Sequence, residues 1–126
     1  MHAEIQQAQD LYTEQKKQFF RLCFSQAAIT IKVLENVSQF MEEGDRLRHC
    51  VFTNEYFKKN NSLLFSAQID NTPVETIEVS LSKMEVFQCR GLKNKNSKHH
   101  KIILNLINRN LYQIRSRMKK QKAEKC

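Results

Sequence analysis

The sequence predicts an α+β domain: an N-terminal helix, a strand, short helices, a three-stranded antiparallel meander and a basic amphipathic C-terminal helix. Apolar residues recur at three- and four-residue spacing near both ends of the chain, whereas β-branched and aromatic residues alternate with polar ones in the middle. The chain has 126 residues, of which 40% are hydrophobic, so one modest core is expected. We therefore expect a single domain over residues 1–118 and a basic, disordered tail over residues 119–126.

The first half of the chain predicts helices on either side of one strand. Helical periodicity runs from about Ala3 to Arg21 with no glycine or proline to interrupt it. Residues Ala28–Leu34 alternate β-branched and polar side chains, which is typical of a strand. Asn36 is placed to cap a helix over Val37–Leu47, and Asn54 to cap a short helical turn that follows it.

Three neighbouring segments predict the meander. They are Leu63–Ile69, Glu75–Leu81 and Glu85–Arg90, joined by the short connections DNTPV and SKM. Side chains alternate between the two faces of a strand, so these connections define which residues share a face. The apolar face is predicted to contain Leu63, Phe65, Ala67, Ile69, Ile77, Val79, Leu81, Phe87 and Cys89.

The other face of the meander is predicted to be polar. Its members are Ser66, Gln68, Thr76, Glu78, Gln88 and Arg90. The expected register pairs Ser66 with Glu78 and Gln68 with Thr76 between the first two strands. Between the second and third strands it pairs Glu78 with Gln88 and Thr76 with Arg90. An ordinary solvated sheet face is one explanation of this pattern, and a binding site is the other.

Arg90 is the centre of the binding hypothesis. Its planar guanidinium matches carboxylate and phosphate groups, and Gly91 beside it is expected to let a ligand approach the backbone. In this hypothesis Gln88 and Asn94 donate hydrogen bonds to the anion, and Glu78 orients Arg90 or acts as a general base. If Arg90 only pairs with Glu78 on the surface, the pair contributes about 0–1 kcal/mol.

His49 and Cys50 form a candidate catalytic pair. A thiol becomes a good nucleophile when a nearby base lowers its pKa, and adjacent residues seldom orient in that way, so His99 or His100 is the expected base for Cys50. The alternative is a half-buried cysteine that only packs at a helix end. These residues and Cys89 are suitable zinc ligands, but they lack the close pairing of structural zinc sites. We predict neither a metal nor a cofactor.

The C-terminal end of the chain is strongly basic. Residues 90–126 contain twelve Lys and Arg against one acid, a net charge of +11, whereas the other 89 residues carry −3. A helix is expected from about His99, with an apolar stripe along it. Clustered positive charge predicts sequence-tolerant binding of nucleic acid, although a solvated lysine tail explains the same composition. The predicted phosphate contacts are Lys95, Lys98, Lys101, Arg109, Arg115 and Arg117.

The expected compartment is the cytoplasm. No signal peptide begins the chain, and no apolar stretch approaches the ~20 residues that a membrane helix needs, so no membrane insertion is expected. The four cysteines have no CxxC pair or regular spacing, which favours reduced thiols.

The chain resembles the C-terminal domain of the PcfJ-like family, which is associated with conjugative plasmids, phages and other mobile elements. The resemblance rests on EEGDRLRHCVFTNEYFKKNNSLLFSAQ, on TIEV at 76–79, on QCRG at 88–91 and on Asn94, and it covers a core of roughly residues 31–111. It implies an α+β domain in a mobile-element setting, but no particular reaction. The matching polar residues are His49, Cys50, Tyr56, Thr76, Glu78, Gln88, Arg90, Gly91 and Asn94.

Three functions from different classes remain open. The first is an accessory protein of a mobile element that acts on or near nucleic acid through its basic helix. The second is a small enzyme whose site lies between His49, Cys50 and the polar face of the meander. The third is a module that presents this face to a protein partner of the element. Convergence of the polar residues on one concave pocket would favour the enzyme, whereas a scattered or flat arrangement would favour the two binding functions. The residues to compare are His49, Cys50, Tyr56, Glu78, Gln88 and Arg90.

Overall fold

The fold is a five-stranded antiparallel sheet with helices on both faces. The computed structural model describes the backbone of residues 2–125 and the side chains of residues 4–118. The strands are β1 (Cys23–Gln26), β2 (Ile29–Val33), β3 (Ser62–Ile69), β4 (Thr72–Ser80) and β5 (Glu85–Gly91), in that order across the sheet. The α-helices are α1 (His2–Lys16), α2 (Val37–Leu47), α3 (His100–Arg109) and α4 (Leu111–Lys125). Short 3-10 turns span Lys17–Phe19, Tyr56–Lys58 and Leu92–Asn94.

The α+β class is confirmed, but the predicted three-stranded sheet was too small. The predicted strand after the first helix is β2, and it pairs with β3 inside the same sheet. Strand β1 was missed because only Phe24 of its four residues is buried. The β1–β2 turn also has no glycine, asparagine or aspartate, and Ala27 adopts the left-handed conformation instead, with φ of 54°.

The β3–β4 hairpin has a tighter turn than predicted. Asp70 and Asn71 both have positive φ, 52° and 63°, so Ile69 pairs with Thr72 across a two-residue turn. Pro73 therefore lies inside β4, beside an irregularity in that strand. Ala67 and Gln68 of β3 pair with Glu75 and Pro73, so Val74 of β4 has no partner in β3. As a result the β3–β4 register differs from the prediction, and Thr76 pairs with Ser66.

The β4–β5 register is the predicted one. Thr76 pairs with Arg90 and Glu78 with Gln88, and the ladder shifts only beyond Glu78. That irregularity displaces Phe87, which was predicted to be in the core but is 61% exposed. The β4–β5 pairing is therefore regular from Thr76 to Glu78, the part of β4 whose polar side chains share one face with Gln88 and Arg90.

The larger core lies between the apolar face of the sheet and helices α3 and α4. It contains Phe19, Leu22, Phe24, Ile29, Ile31, Val33, Leu63, Phe65, Ala67, Ile77, Val79, Cys89, Ile103, Leu106, Ile107 and Ile114. The predicted single C-terminal helix is two helices, because the chain changes direction at Asn110 (φ −113°, ψ 7°). The tail predicted at 119–126 lies outside the described side chains, and Cys126 outside the described backbone.

The smaller core covers part of the other face of the sheet. Tyr12 of α1, Phe40 of α2 and Phe57 pack with Leu64, the residue that pairs with Glu78 in the β3–β4 ladder. Helix α2 has the predicted bounds, and the Asn36 side chain accepts the Gln39 N–H at its start. Because α2 and the segment after it lie over the sheet, most of the polar face is enclosed rather than solvated.

Two local predictions in the first half were wrong. Helix α1 ends at Lys16, five residues before the predicted end, and a 3-10 turn follows it. Asn54 does not cap the helical turn at Tyr56–Lys58, whose N-cap position is occupied by Glu55 in the left-handed conformation.

Within the part of the chain that the structure describes, no helix is both long and apolar enough to span a membrane.

Candidate functional site

The polar face of the sheet borders a cavity of about 320 Å³. Three parts of the chain enclose it: the segment after α2, the central strands, and the turn after β5. The lining residues are His49, Cys50, Val51, Asn54, Tyr56, Leu64, Thr76, Glu78, Gln88, Arg90 and Asn94. Eight of the nine residues that the sequence marks as a catalytic or ligand site therefore surround one space, and Gly91 is the exception.

The end of α2 directs His49 into this cavity. Arg48 adopts the left-handed conformation (φ 51°, ψ 49°) and its N–H bonds the Gly44 carbonyl, which ends the helix. The His49 N–H donates to the same carbonyl at 3.2 Å. A Cβ atom at Gly44 would lie 3.2 Å from the His49 carbonyl oxygen, so the glycine permits this close return of the chain.

A chain of hydrogen bonds connects His49 to a buried acid. His49 Nε2 lies 2.8 Å from Thr76 Oγ1, and the Thr76 hydroxyl donates to Glu43 Oε2 at 2.5 Å. Glu43 is only 2% exposed, and burial raises its pKa to about 7. Burial also lowers the pKa of His49, whose Nδ1 is buried without a hydrogen-bond partner among the described residues.

Glu43 is a site residue that sequence reasoning missed. It lies in the acidic run Glu42-Glu43, which suggests a solvated helix surface. However, it follows Phe40 by three residues and precedes Leu47 by four, and both are buried. This spacing was the available signal that Glu43 faces the sheet.

A second network holds the Glu78 carboxylate, which is 2% exposed. It accepts hydrogen bonds from Ser62 Oγ (2.6 Å), from Lys59 Nζ (3.2 Å) and from Gln88 Nε2 (3.1 Å). The Lys59 ammonium also lies 3.9 Å from the centre of the Tyr56 ring. Lys59 compensates the buried charge, a role that no sequence pattern indicated.

Arg90 is left available by this arrangement. The prediction that Glu78 orients Arg90 was wrong, because the Glu78 oxygens already accept three other donors. Among the described residues, Arg90 makes one hydrogen bond, from Nη1 to the Asn94 carbonyl at 3.4 Å, and no ion pair. Its side chain is exposed at the edge of the cavity. The guanidinium therefore keeps most of its donors for another acceptor.

Gly91 does not have the predicted ligand-facing role. Its N–H donates to the Lys95 carbonyl, and a Cβ there would lie 2.7 Å from the Val74 oxygen and 2.8 Å from the Lys95 oxygen. The glycine is buried because the turn after β5 folds tightly against β4. Its contribution is to position the turn that contains Asn94.

The expected base for Cys50 is also absent from the cavity. Neither His99 nor His100 lines it. His100 Nδ1 instead lies 2.9 Å from Glu75 Oε1, and Glu75 precedes Thr76 in β4 and so faces the other side of the sheet. Cys50 is an exposed thiol at the cavity wall, and His49 Nε2 is occupied by Thr76.

The remaining polar-face residues belong to a separate space. Ser66 and Gln68 line a second cavity of about 410 Å³, together with Glu43. Glu43 also bonds Thr76, which lines the first cavity. The buried acid thus lies between the two cavities.

The basic residues near the C-terminus divide into free and tethered groups. Lys95, Lys98, Lys101 and Arg115 are exposed. Arg109 is exposed but donates to the side chain of Gln26. Arg117 is half-buried, and its Nη1 donates to the carbonyls of Gln18 and Phe20 at 2.9 and 3.1 Å, which ties α4 to the turn after α1. Arg117 is therefore a structural tether rather than a free phosphate contact.

Comparison with known families agrees with the resemblance in the sequence. The PcfJ-like protein family matches residues 2–104, which is most of the chain and includes every residue of the first cavity. The chain belongs to the PcfJ-like protein family. No curated protein and no solved structure matches it. Helix α4 of this PcfJ-like protein lies beyond the matched residues.

Proposed function

We propose that this PcfJ-like protein binds a small ligand that carries a carboxylate or a phosphate in the first cavity. The observation that carries the proposal is the available Arg90 guanidinium at the edge of a concave, polar space. Asn54 and Asn94 offer amide groups around it, while Val51 and Leu64 offer apolar wall for the body of the ligand. The prediction that Gln88 donates to the anion was wrong, because its Nε2 donates to Glu78 and to the Tyr56 hydroxyl. A concave cavity of this size is typical of small-molecule sites. The other charged group in its wall, Glu78, is already paired with Lys59 at 3.2 Å.

The geometry supports binding better than catalysis. A general base needs a free lone pair within reach of its substrate. His49 Nε2 is bound to Thr76 and its Nδ1 is buried, and the Glu78 oxygens accept three donors. In this proposal His49 and Glu78 position the walls of the site, and Cys50 is an accessible thiol beside it.

Arg90→Lys is the variant that tests this proposal. Affinity for inorganic phosphate, AMP or citrate, whichever binds the native protein, is expected to fall tenfold or more, because an ammonium cannot form the bidentate contact of a guanidinium. Isothermal titration calorimetry measures the loss. Because Arg90 is exposed, the free energy of unfolding of the protein should change by less than about 1 kcal/mol, as measured by thermal melting.

The matched control is Arg46→Lys. Arg46 is equally charged, pairs with Glu42 on the exposed side of α2 and does not line the first cavity. It should bind the anion as the native protein does. Equal affinity of the native protein and Arg90→Lys would contradict the proposal, as would failure of all three anions to bind.

A second candidate function is binding of nucleic acid, in keeping with a cytoplasmic accessory protein of a mobile element. The observation in its favour is that Lys95, Lys98 and Lys101 are exposed and close in sequence, with no acidic residue between Arg90 and α4. Such a surface binds phosphates by releasing counterions, so affinity should be sequence-tolerant and fall steeply with salt. A protein partner of the element is a separate alternative, predicted to contact the polar face of the sheet rather than this basic surface.

Reversal of Lys95, Lys98 and Lys101 to glutamate is expected to weaken binding of single-stranded DNA at least tenfold and to reduce its salt dependence. Fluorescence anisotropy at two salt concentrations measures both quantities. The control reverses Lys17, Lys32 and Lys83, which are also exposed, so the total charge changes equally. An equal loss in both triple variants would show that only net charge matters, and this candidate would fail.

A further inference from the structure

A second cluster of reactive side chains lies on the apolar side of the sheet, where α3 begins. Glu75 of β4 is fully buried, Cys89 of β5 is 7% exposed, and the His100 side chain is 21% exposed. Cys89 Sγ lies 2.8 Å and His100 Nδ1 2.9 Å from the same oxygen, Oε1 of Glu75. Each residue offers one ligand atom, and the three atoms lie within 4.8 Å of one another.

The chemistry of this set matches zinc. Thiolate sulfur, imidazole nitrogen and carboxylate oxygen are the three donors that zinc takes from proteins, at about 2.3, 2.0–2.1 and 2.0–2.2 Å. Calcium and magnesium prefer oxygen ligands, so a site with one carboxylate, one thiol and one imidazole disfavours them. Three protein ligands also leave the fourth tetrahedral position for a water molecule.

The three donors are held in place before any ion binds. Adjacent strands provide Glu75 and Cys89, whereas His100 is the first residue of α3. The Ser97 N–H donates to the second Glu75 oxygen at 2.7 Å, and the Ser97 hydroxyl accepts the His99 N–H at 3.1 Å. Outer hydrogen bonds of this kind fix the orientation of ligands in metal sites.

The charge of the site also favours a cation. The buried Glu75 carboxylate accepts hydrogen bonds from Cys89, Ser97 and His100 in place of water. Among the described residues, no lysine or arginine pairs with this buried carboxylate. A divalent ion would supply the missing positive charge at the point where two donors already converge.

We propose that Glu75, Cys89 and His100 bind one Zn²⁺, with water as the fourth ligand. The ion replaces the thiol proton of Cys89, which passes to solvent. It also replaces the hydrogen on His100 Nδ1, so the ligating imidazole is the neutral tautomer with its hydrogen on Nε2. The bound ion ties the start of α3 to β4 and β5. The site is separate from the anion-binding cavity, because Glu75 and Thr76 face opposite sides of the sheet. The sequence has no CxxC spacing that would indicate this site, because strand pairing rather than sequence proximity brings the ligands together.

Cobalt titration of the chelator-treated full chain tests the proposal. Co²⁺ is the probe, because a thiolate bound to it gives a near-ultraviolet charge-transfer band. We expect one Co²⁺ per chain with this band, and displacement of Co²⁺ by one equivalent of Zn²⁺. Cys89→Ser should abolish the band, and His100→Gln should weaken Zn²⁺ binding at least tenfold.

Two neighbouring variants are the controls. His99→Gln changes the adjacent imidazole, and Cys23→Ser removes an exposed thiol, and both should bind as the native chain does. Because His100 is partly exposed, His100→Gln is expected to fold even if Cys89→Ser does not, and circular dichroism checks this. Absence of one-to-one Co²⁺ binding, or unchanged binding by folded His100→Gln, would leave only a hydrogen-bonded cluster and overturn the proposal.

Discussion

Glu43→Gln is expected to stabilise the protein by about 3 kcal/mol at pH 8. Burial raises the pKa of Glu43 from 4.5 to about 7, which corresponds to about 3 kcal/mol between its charged and neutral forms. At pH 8 the native protein holds a buried carboxylate in α2 without a basic partner among the described residues. Glutamine is neutral, has nearly the same shape and keeps an oxygen for the Thr76 hydroxyl, so it removes the desolvation cost.

The stability difference between Glu43→Gln and the native protein is expected to grow as the pH rises. Below pH 4.5 Glu43 is protonated in both the folded and the unfolded chain, and Glu43→Gln should be close to neutral. Between pH 4.5 and about 7 the folded chain holds the proton more tightly, so the native protein loses stability as the pH rises. Above about pH 7 that loss is complete, and the advantage of glutamine is largest.

Urea unfolding at pH 4.5 and at pH 8 measures the effect. The control is Glu42→Gln, which changes the neighbouring acid, whose side chain is 61% exposed. It should alter stability by less than about 1 kcal/mol at either pH. A Glu43→Gln advantage that is equal at the two pH values, or a loss of stability at pH 8, would contradict the assigned environment of Glu43.

Gly91→Ala is expected to destabilise the fold by about 2–3 kcal/mol. The new methyl group would lie 2.7 Å from the Val74 oxygen and 2.8 Å from the Lys95 oxygen. Both atoms are backbone, in β4 and in the turn after β5, so neither can move aside as a flexible side chain does. Overpacking of this kind usually costs about 1–3 kcal/mol, and here it also disturbs the bond from the Gly91 N–H to Lys95.

The other glycine of the chain is the matched control. At Gly44 the nearest atom to an added Cβ is 3.2 Å away, and alanine gains about 1 kcal/mol of helix propensity over glycine. Gly44→Ala should therefore stay within about 1 kcal/mol of the native protein in urea unfolding. A Gly91→Ala variant as stable as Gly44→Ala would show that the turn after β5 is not tightly packed.

The parts of the fold that sequence predicted well depend on local chemistry. Helix α2 has an asparagine cap and strong periodicity, and its bounds were correct. Alternation and short connections identified β3, β4 and β5, and they assigned Thr76, Glu78, Gln88 and Arg90 to one face. Strand β1 was not predicted, because a short edge strand with one buried residue has no clear alternation of polar and apolar side chains.

The parts that sequence missed depend on tertiary contacts between charged residues. Glu43, Lys59 and Lys16 look like surface residues in the sequence, yet Glu43 bonds Thr76 and Lys59 bonds Glu78. Lys16 is 2% exposed, donates to the carbonyls of Lys59 and Asn60, and burial lowers its pKa to about 8. Only the packing of α1 and α2 against the sheet reveals these partners.

These charged side chains connect the cavity walls to α1, α2 and β4. Lys16 secures the Tyr56–Lys58 turn from α1, and Lys59 links that turn to Glu78 in β4. On the other side, Glu43 and Thr76 hold His49. The cavity walls are therefore fixed by side-chain networks on two sides, and Arg90 at the edge is the charged group left for a ligand.

Chemical-shift mapping of the assigned full chain with inorganic phosphate, AMP and citrate tests the anion-binding proposal most directly. We expect saturable shifts of backbone amides in residues 49–56, 76–78 and 88–94 with at least one of these anions, and their loss in Arg90→Lys. Shifts confined to Lys95, Lys98 and Lys101 would place the anion on the basic surface instead. Either that result or no saturable shift with any of the three would contradict anion binding in the first cavity.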